Sequence, residues 1–364
     1  MSGQESDPLV KHPALGYKIR KGGWVDQQLS TYRLAEQKLA EACYAEAERL
    51  GRYTIREALE GYELYSAWIE EIPQYLRTKG VTDVVIDSEL ARIEPLLRWP
   101  DGRDFDPKEG WQQYQDLIHQ FAQACRETNR EAANELLERA RQTWRVTHDR
   151  VHDKICFLLT LAARELGESE IGPLWDCLME EMYRSYDRYD VDHTPWEQSA
   201  ELLMHIMAEA LRGHLSGPGR RGDIEFVDEG HRIGFRFDPC GSGGRTYRAD
   251  LDEGIGPRML PPYDFGVTQE PHDWAWNEKG ICYYCAHCCQ LMERIPIKKY
   301  GYPARVTEPP KWPDAETGTK CTWWVYRDPR DVPEEIYRRV GATKPSEIGG
   351  TATRAREQGK ITES

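Results

Sequence analysis

The chain has 364 residues, 39% of them hydrophobic and 30% charged, with a formal net charge of -14. That is enough apolar material for a packed core and enough length for two domains. An acidic chain with no long basic stripe argues against nucleic acid and anionic membrane surfaces as partners, and no apolar run is long enough to read as a membrane span.

Residues 1–24, MSGQESDPLVKHPALGYKIRKGGW, read as a polar arm without the apolar centre of a signal peptide. The expected location is therefore the cytoplasm. In that reducing compartment, clustered cysteines bind metal or do redox chemistry more often than they form structural disulfides.

Residues 25–215 read as a helical domain. VDQQLSTYRLAEQKLAEACYAEAERL and TIREALEGYELYSAWIEEIPQYL carry apolar residues at helical spacing, and Pro73 predicts a kink or an end. Residues 98–110 have the Pro, Gly and Asp content of a loop. Helix resumes from Trp111 to about Leu166 with a break near Asn129, and again through PLWDCLMEEMYRSYDRY. In VTHDRVHDKIC, His148, His152 and Cys156 share one stripe, a spacing that can hold zinc. The adjacent Asp149 and Asp153 instead predict a solvated, charge-laced face. Thr194-Pro195-Trp196-Glu197 predicts a capping box opening the last helix. His214 falls on that helix's apolar face and reads as a buried, hydrogen-bonded histidine.

Residues 220–340 read as a smaller, cysteine-rich, β-containing domain, which makes the fold class α+β. DIEFVDEGHRIGFRFDPC predicts a hairpin turning near Glu229-Gly230, with Ile233, Phe235 and Phe237 on one face of its second arm. That arm delivers Cys240 to the loop Gly241-Ser242-Gly243-Gly244, which matches no nucleotide-binding motif. CTWWVYR predicts a strand opening on Cys321, and a helix is expected after Asp331. Residues 342–364 read as a mobile tail.

The strongest signal is ICYYCAHCCQ at 281–290, which holds four of the ten cysteines. Cys43, Cys125, Cys156 and Cys177 lie singly in helices and read as small core residues. Cys240, Cys282, Cys285, Cys288, Cys289 and Cys321 all lie in the last third, in loops or at strand ends. Zinc takes four ligands, usually thiolate or imidazole, and C-x2-C supplies two of them from one turn. The expected ligands are Cys240, Cys282, Cys285 and either Cys288 or Cys321, with His287 able to replace one. Glycines after Cys240 would let backbone N–H groups approach its sulfur. C-x2-C-x2-C with one remote cysteine also fits a 4Fe-4S cluster, although the usual Cys-Pro neighbour is absent. A metal-free vicinal pair, Cys288–Cys289, is the third reading.

Acid–base candidates near the run are His272 and Asp273 of PHDWAW, His287, His231 and Asp238, with Cys289 as the thiol left free to react. Trp274, Trp276, Tyr283 and Tyr284 could wall an aromatic substrate pocket.

A strand ending in cysteine (FRFDPC), a cysteine-bearing segment and a terminal strand opening on cysteine (CTWWVY) follow a helical half. Over residues 195–330 this order resembles the aminothiazoline-carboxylate hydrolase-like proteins and, more distantly, the vinyl-reductase-like small-molecule sensor domains. The resemblance implies cleavage of a C–N or C–S bond. The expected function is a zinc-thiolate hydrolase or lyase acting on a small organic molecule. The alternatives are an iron–sulfur oxidoreductase and a non-enzymatic small-molecule-binding module with structural zinc. A homo-oligomer is left open.

Overall fold

A computed structural model describes residues 7–180, 182, 190, 193–314 and 320–348. The fold is α+β, with helices forming its bulk and two small antiparallel sheets. The helices are α1 (Thr31–Ala40), α2 (Tyr44–Thr78), α3 (Asp83–Ile93), α4 (Pro107–Arg126), α5 (Arg130–Leu166), α6 (Ile171–Leu178) and α7 (Trp196–Gly213). Capping places several starts. Ser30 Oγ accepts from Arg33 N at 3.1 Å, and Asn129 Oδ1 accepts from Ala132 N at 3.1 Å, which sets the break expected near Asn129.

Two of these helices are unusually long, and only α2 continues past a position where an end was expected. α2 has 35 residues and does not end at the buried Pro73, which lies inside it. Proline removes one helical hydrogen bond, but packing on both sides of the residue holds the helix together. α5 has 37 residues. At 1.5 Å per residue each reaches about 50 Å. That reach lets both helices serve two apolar clusters. One cluster joins α1, α4 and the first halves of α2 and α5 through Tyr32, Leu50, Tyr114, Phe121 and Trp144. The other joins their second halves to α3, α6, α7 and the sheet, so the helical and cysteine-rich stretches share a core.

The sheet follows from alternation. β3 (Glu225–Asp228), β4 (Arg232–Phe237), β5 (Val306–Glu308) and β6 (Cys321–Tyr326) pair antiparallel in the order β3-β4-β6-β5. The β3–β4 hairpin turns at Glu229-Gly230 as expected. All six residues of β6 are buried, because helices cover the sheet and β6 is central. Trp196 Nε1 donates to Tyr326 O at 2.7 Å and fastens α7 to this strand. The register sets Cys321 opposite Phe237, three residues before Cys240.

The expected polar arm includes a hairpin, β1 (Leu9–Lys11) with β2 (Lys18–Arg20), docked by Tyr17 Oη donating to Glu209 at 2.7 Å. The capping box at Thr194–Glu197 does not form: α7 starts at Trp196 after Pro195, with no side-chain cap bond. The part of the helix expected beyond Glu180 lies almost wholly outside the described residues, as does the tail after Ile348.

The largest correction concerns α5. The face expected to be solvated is sealed: Asp149, His152 and Asp153 are fully buried and His148 and Arg150 nearly so. Periodicity reads charge as a surface signal, whereas here arginines from three other segments meet these carboxylates inside the fold.

α7 ends where α2 passes at backbone contact. A Cβ on Gly213 would sit 2.0 Å from the Glu57 carbonyl, and the Gly213 carbonyl accepts from Trp144 Nε1 at 2.7 Å. Gly213→Ala must push the helices apart and is expected to cost about 1–3 kcal/mol. An unchanged urea midpoint would contradict this close approach.

Candidate functional site

The site is built on the buried face of α5. Asp149 takes two arginines, with Arg220 bidentate at 3.0 and 2.8 Å and Arg245 at 3.1 Å. Arg245 also pairs with Asp153, and Arg258 lies 3.8 Å from Asp153. Burial alone would push Asp149 up, but the two guanidinium groups outweigh it and hold the carboxyl well below its ordinary range.

This charge fixes a pair of imidazoles. His148 Nδ1 lies 2.8 Å from Asp149 Oδ1. A carboxylate only accepts, so Nδ1 carries the proton and His148 Nε2 is bare. Nε2 lies 2.9 Å from His214 Nδ1, which must therefore donate, leaving His214 with a bare Nε2. Burial pushes His148 down to about 4 and His214 well below its usual value, so both rings are neutral near pH 7.

His214 lines a small cavity of about 40 Å³ together with Cys240, Cys285, Cys288, Cys321 and His287. Ser242, Trp276, Tyr284, Thr307 and Trp323 complete most of its wall. Tyr65 closes it from α2, its hydroxyl bonded to Ser242 Oγ at 2.7 Å and closely to Tyr284 Oη. The glycine loop does what its composition suggested. Backbone N–H groups of Ser242 and Gly244 bond the Cys240 sulfur, although burial still raises that thiol. Gly243 leaves room for Cys285, whose sulfur would stand 2.4 Å from an added Cβ.

Cys288 and His287 form a pair. His287 Nδ1 donates to Tyr284 O at 2.6 Å, so its bare Nε2 faces Cys288 Sγ at 3.4 Å. Burial takes His287 down to about 4. Burial raises the Cys288 thiol, and the charge of Arg305 acts in the opposite direction. The run continues from helix Ala286–Cys289 into a π-helical turn, Gln290–Arg294. Such wide turns are rare and cluster at functional sites. This one carries Glu293, fully buried, which binds Arg339 through both oxygens and accepts from Trp276 Nε1 and Thr307 N at 2.8 Å each. One carboxylate thus holds two wall residues.

The expected site residues divide between the cavity and its surroundings. Cys240, Cys285, Cys288, Cys321, His287, Trp276 and Tyr284 are on the wall. Cys282 is not: its thiol is held well below the ordinary value by the neighbouring thiols of Cys156 and Cys285. Cys289 is fully buried behind the wall, its thiol donating to Asp273 O at 3.5 Å. His272 stacks on Trp274 and binds Glu168 at 2.7 Å, Asp273 pairs with Arg294 at 2.9 Å, and Tyr283 Oη donates to Glu168 at 2.8 Å. His231 is exposed at the hairpin turn, and Asp238 pairs closely with Arg248. None of these is a wall residue.

Reading the sequence alone passed over Tyr65, Ser242, Thr307, Arg305 and Trp323 as site residues. The buried histidine expected at 214 has a second role on the wall. The stripe His148–His152–Cys156 was the available signal for this seam, discounted because of its aspartates. All ten cysteines are unbridged. The wall donors are soft, as zinc prefers, yet among the described residues no group of three or more His, Cys, Asp or Glu side chains stands ready to hold a metal ion. No described helix is long and apolar enough to cross a membrane. Comparisons with protein-family models, curated proteins and solved structures find no match.

The histidines carry a pH signature. In the unfolded chain His148 titrates near 6.5, against about 4 when folded, so the unfolded state binds more protons in between. Stability is therefore complete above pH 6.5 and falls as pH drops toward 4, by about 1.4 kcal/mol per pH unit for one such group. Urea midpoints between pH 7 and 4 should show this fall, and His148→Gln should reduce its slope. A slope that the substitution leaves unchanged would contradict the neutral assignment.

Proposed function

We propose that the chain is an enzyme that cleaves a C–N or C–S bond of a small organic molecule in this cavity, with Cys288 as nucleophile and His287 as its base. The observation that carries the reading is the aligned pair: a thiol aimed at an imidazole nitrogen whose other nitrogen is fixed by a backbone carbonyl. The Cys288 proton passes to His287 Nε2 as the sulfur attacks an electrophilic carbon. The leaving nitrogen or sulfur takes that proton, and water then releases the acyl-type intermediate. His214, with its bare Nε2, is placed to assist the water. In this reading residues 25–215 supply the rigid wall, residues 220–340 supply the thiols, and the cytoplasm keeps those thiols reduced.

A second reading adds zinc. Four thiols and two neutral imidazoles face one cavity, and a metal cation readily displaces the protons of such thiols. Cys240, Cys285, Cys288 and Cys321 would hold the ion, which would polarise substrate or activate water. The engagement of Cys282 with Cys156 favours this set over a cluster bound by Cys282, Cys285 and Cys288.

Alkylation separates the two readings. In metal-free protein, iodoacetamide should modify Cys288, and His287→Gln should slow that modification by about a hundredfold. Equal rates in the variant sink the nucleophile. Elemental analysis of anaerobically purified protein tests zinc: Cys285→Ser should lose a stoichiometric metal that Cys282→Ser retains. Wild-type protein without metal removes this second reading.

A further inference from the structure

We infer that the cavity holds an oxyanion subsite, formed by Arg305, Thr307 and Trp323, that selects ligands carrying a carboxylate. This deepens the proposed reaction and rests on the cavity being the reaction site.

A buried charge beside this cavity lacks a counter-charge. Arg305 is 95% buried, from its 5% exposure, and no ion pair joins it to a carboxylate among the described residues. Four other buried arginines, Arg212, Arg220, Arg245 and Arg258, each have an acidic partner, and Arg20, which has no ion pair among the described residues, gives its guanidinium to Leu29 O, Asp26 O and Thr31 Oγ1 instead. Removing a guanidinium from water costs several kcal/mol when no anion compensates it. The contacts of Arg305 offset this only in part. Its guanidinium lies 3.7 Å from the centre of the Trp323 ring, and its charge favours the thiolate of Cys288.

The neighbouring polar atoms show the same deficit. Arg305 Nε, Thr307 Oγ1 and Trp323 Nε1 are all buried without a hydrogen-bond partner among the described residues. Thr307 and Trp323 are both on the cavity wall and are 1% and 8% exposed. Two buried donors on the wall of one small cavity, with a buried guanidinium stacked behind Trp323, are complementary to an acceptor carrying negative charge. A planar carboxylate matches the guanidinium fork and fits the limited space better than a tetrahedral anion. Because Thr307 and Trp323 line the same small cavity as Cys288, a carboxylate held there lies on the side of the cavity that the sulfur faces.

The test uses the full chain and two probes of equal shape, acetate and acetamide, followed by saturation-transfer NMR at neutral pH. Acetate should bind at least about tenfold more tightly than acetamide. Arg305→Gln should abolish that preference, and Thr307→Val, which keeps the side-chain shape, should weaken acetate severalfold. Equal affinity for the two probes, no binding of either, or a preference that survives in both variants overturns the subsite. If Arg305→Gln fails to fold by circular dichroism, the wild-type ratio and Thr307→Val decide. Acetate preference with an unreactive Cys288 leaves the subsite standing and removes the nucleophile; a reactive Cys288 with no preference does the reverse.

Discussion

Two carboxylates inside a helical layer set the terms for this fold. Asp149 and Asp153 lie on α5, out of reach of water, and each is charged only because arginines reach it. Those arginines come from Arg220 after α7, from Arg245 at the end of the glycine loop, and from Arg258 beyond it. A buried ion pair contributes little net stability against an apolar alternative, but breaking one strands a charge. The network therefore acts as a register pin. It fixes where the loop bearing Cys240 meets the helices, and the second-half core closes around that junction.

The site inherits its protonation states from the same pin. Asp149 orders His148, His148 orders His214, and a bare nitrogen results on a residue of the cavity wall. Glu293 does comparable work on the opposite side, holding Trp276 and Thr307 while Arg339 balances its charge. The thiols and imidazoles of the wall are thus neutral, with the charges that position them, and Arg305 beside Trp323, set one layer back. Thiols and imidazoles of this kind suit a soft cation once their protons leave, and a polar organic molecule while they stay.

Much of this outline is legible in the sequence, because it rests on local rules. The hairpin turn at Glu229-Gly230, the break at Asn129 and the strand opening on Cys321 follow from turn chemistry, capping and alternation. The convergence of Cys240, Cys285, Cys288 and Cys321 on one cavity was visible as a segregation of cysteines in the chain. Directions were not visible. Cys288 faces the cavity and Cys289 faces away because a helix turns through about 100° per residue and a π-helical turn follows, and spacing reports neither. The polar seam of α5 was also hidden. Its aspartates read as solvent-facing until their partners, some 70–100 residues further along, are placed beside them. Arg305 left no local mark at all, since an unpaired buried charge is defined only by what does not surround it.

The wide turn at Gln290–Arg294 has a consequence for how this chain can vary. Side chains before and after it are phased by a count of residues, not by the identity of any one of them. Losing a single position there would restore ordinary helical winding and swing everything downstream by roughly a quarter of a revolution relative to the cysteines. Glu293 would then face away from Trp276 and Thr307 with every amino acid of the wall still present. This stretch should tolerate changes of letter far better than changes of length.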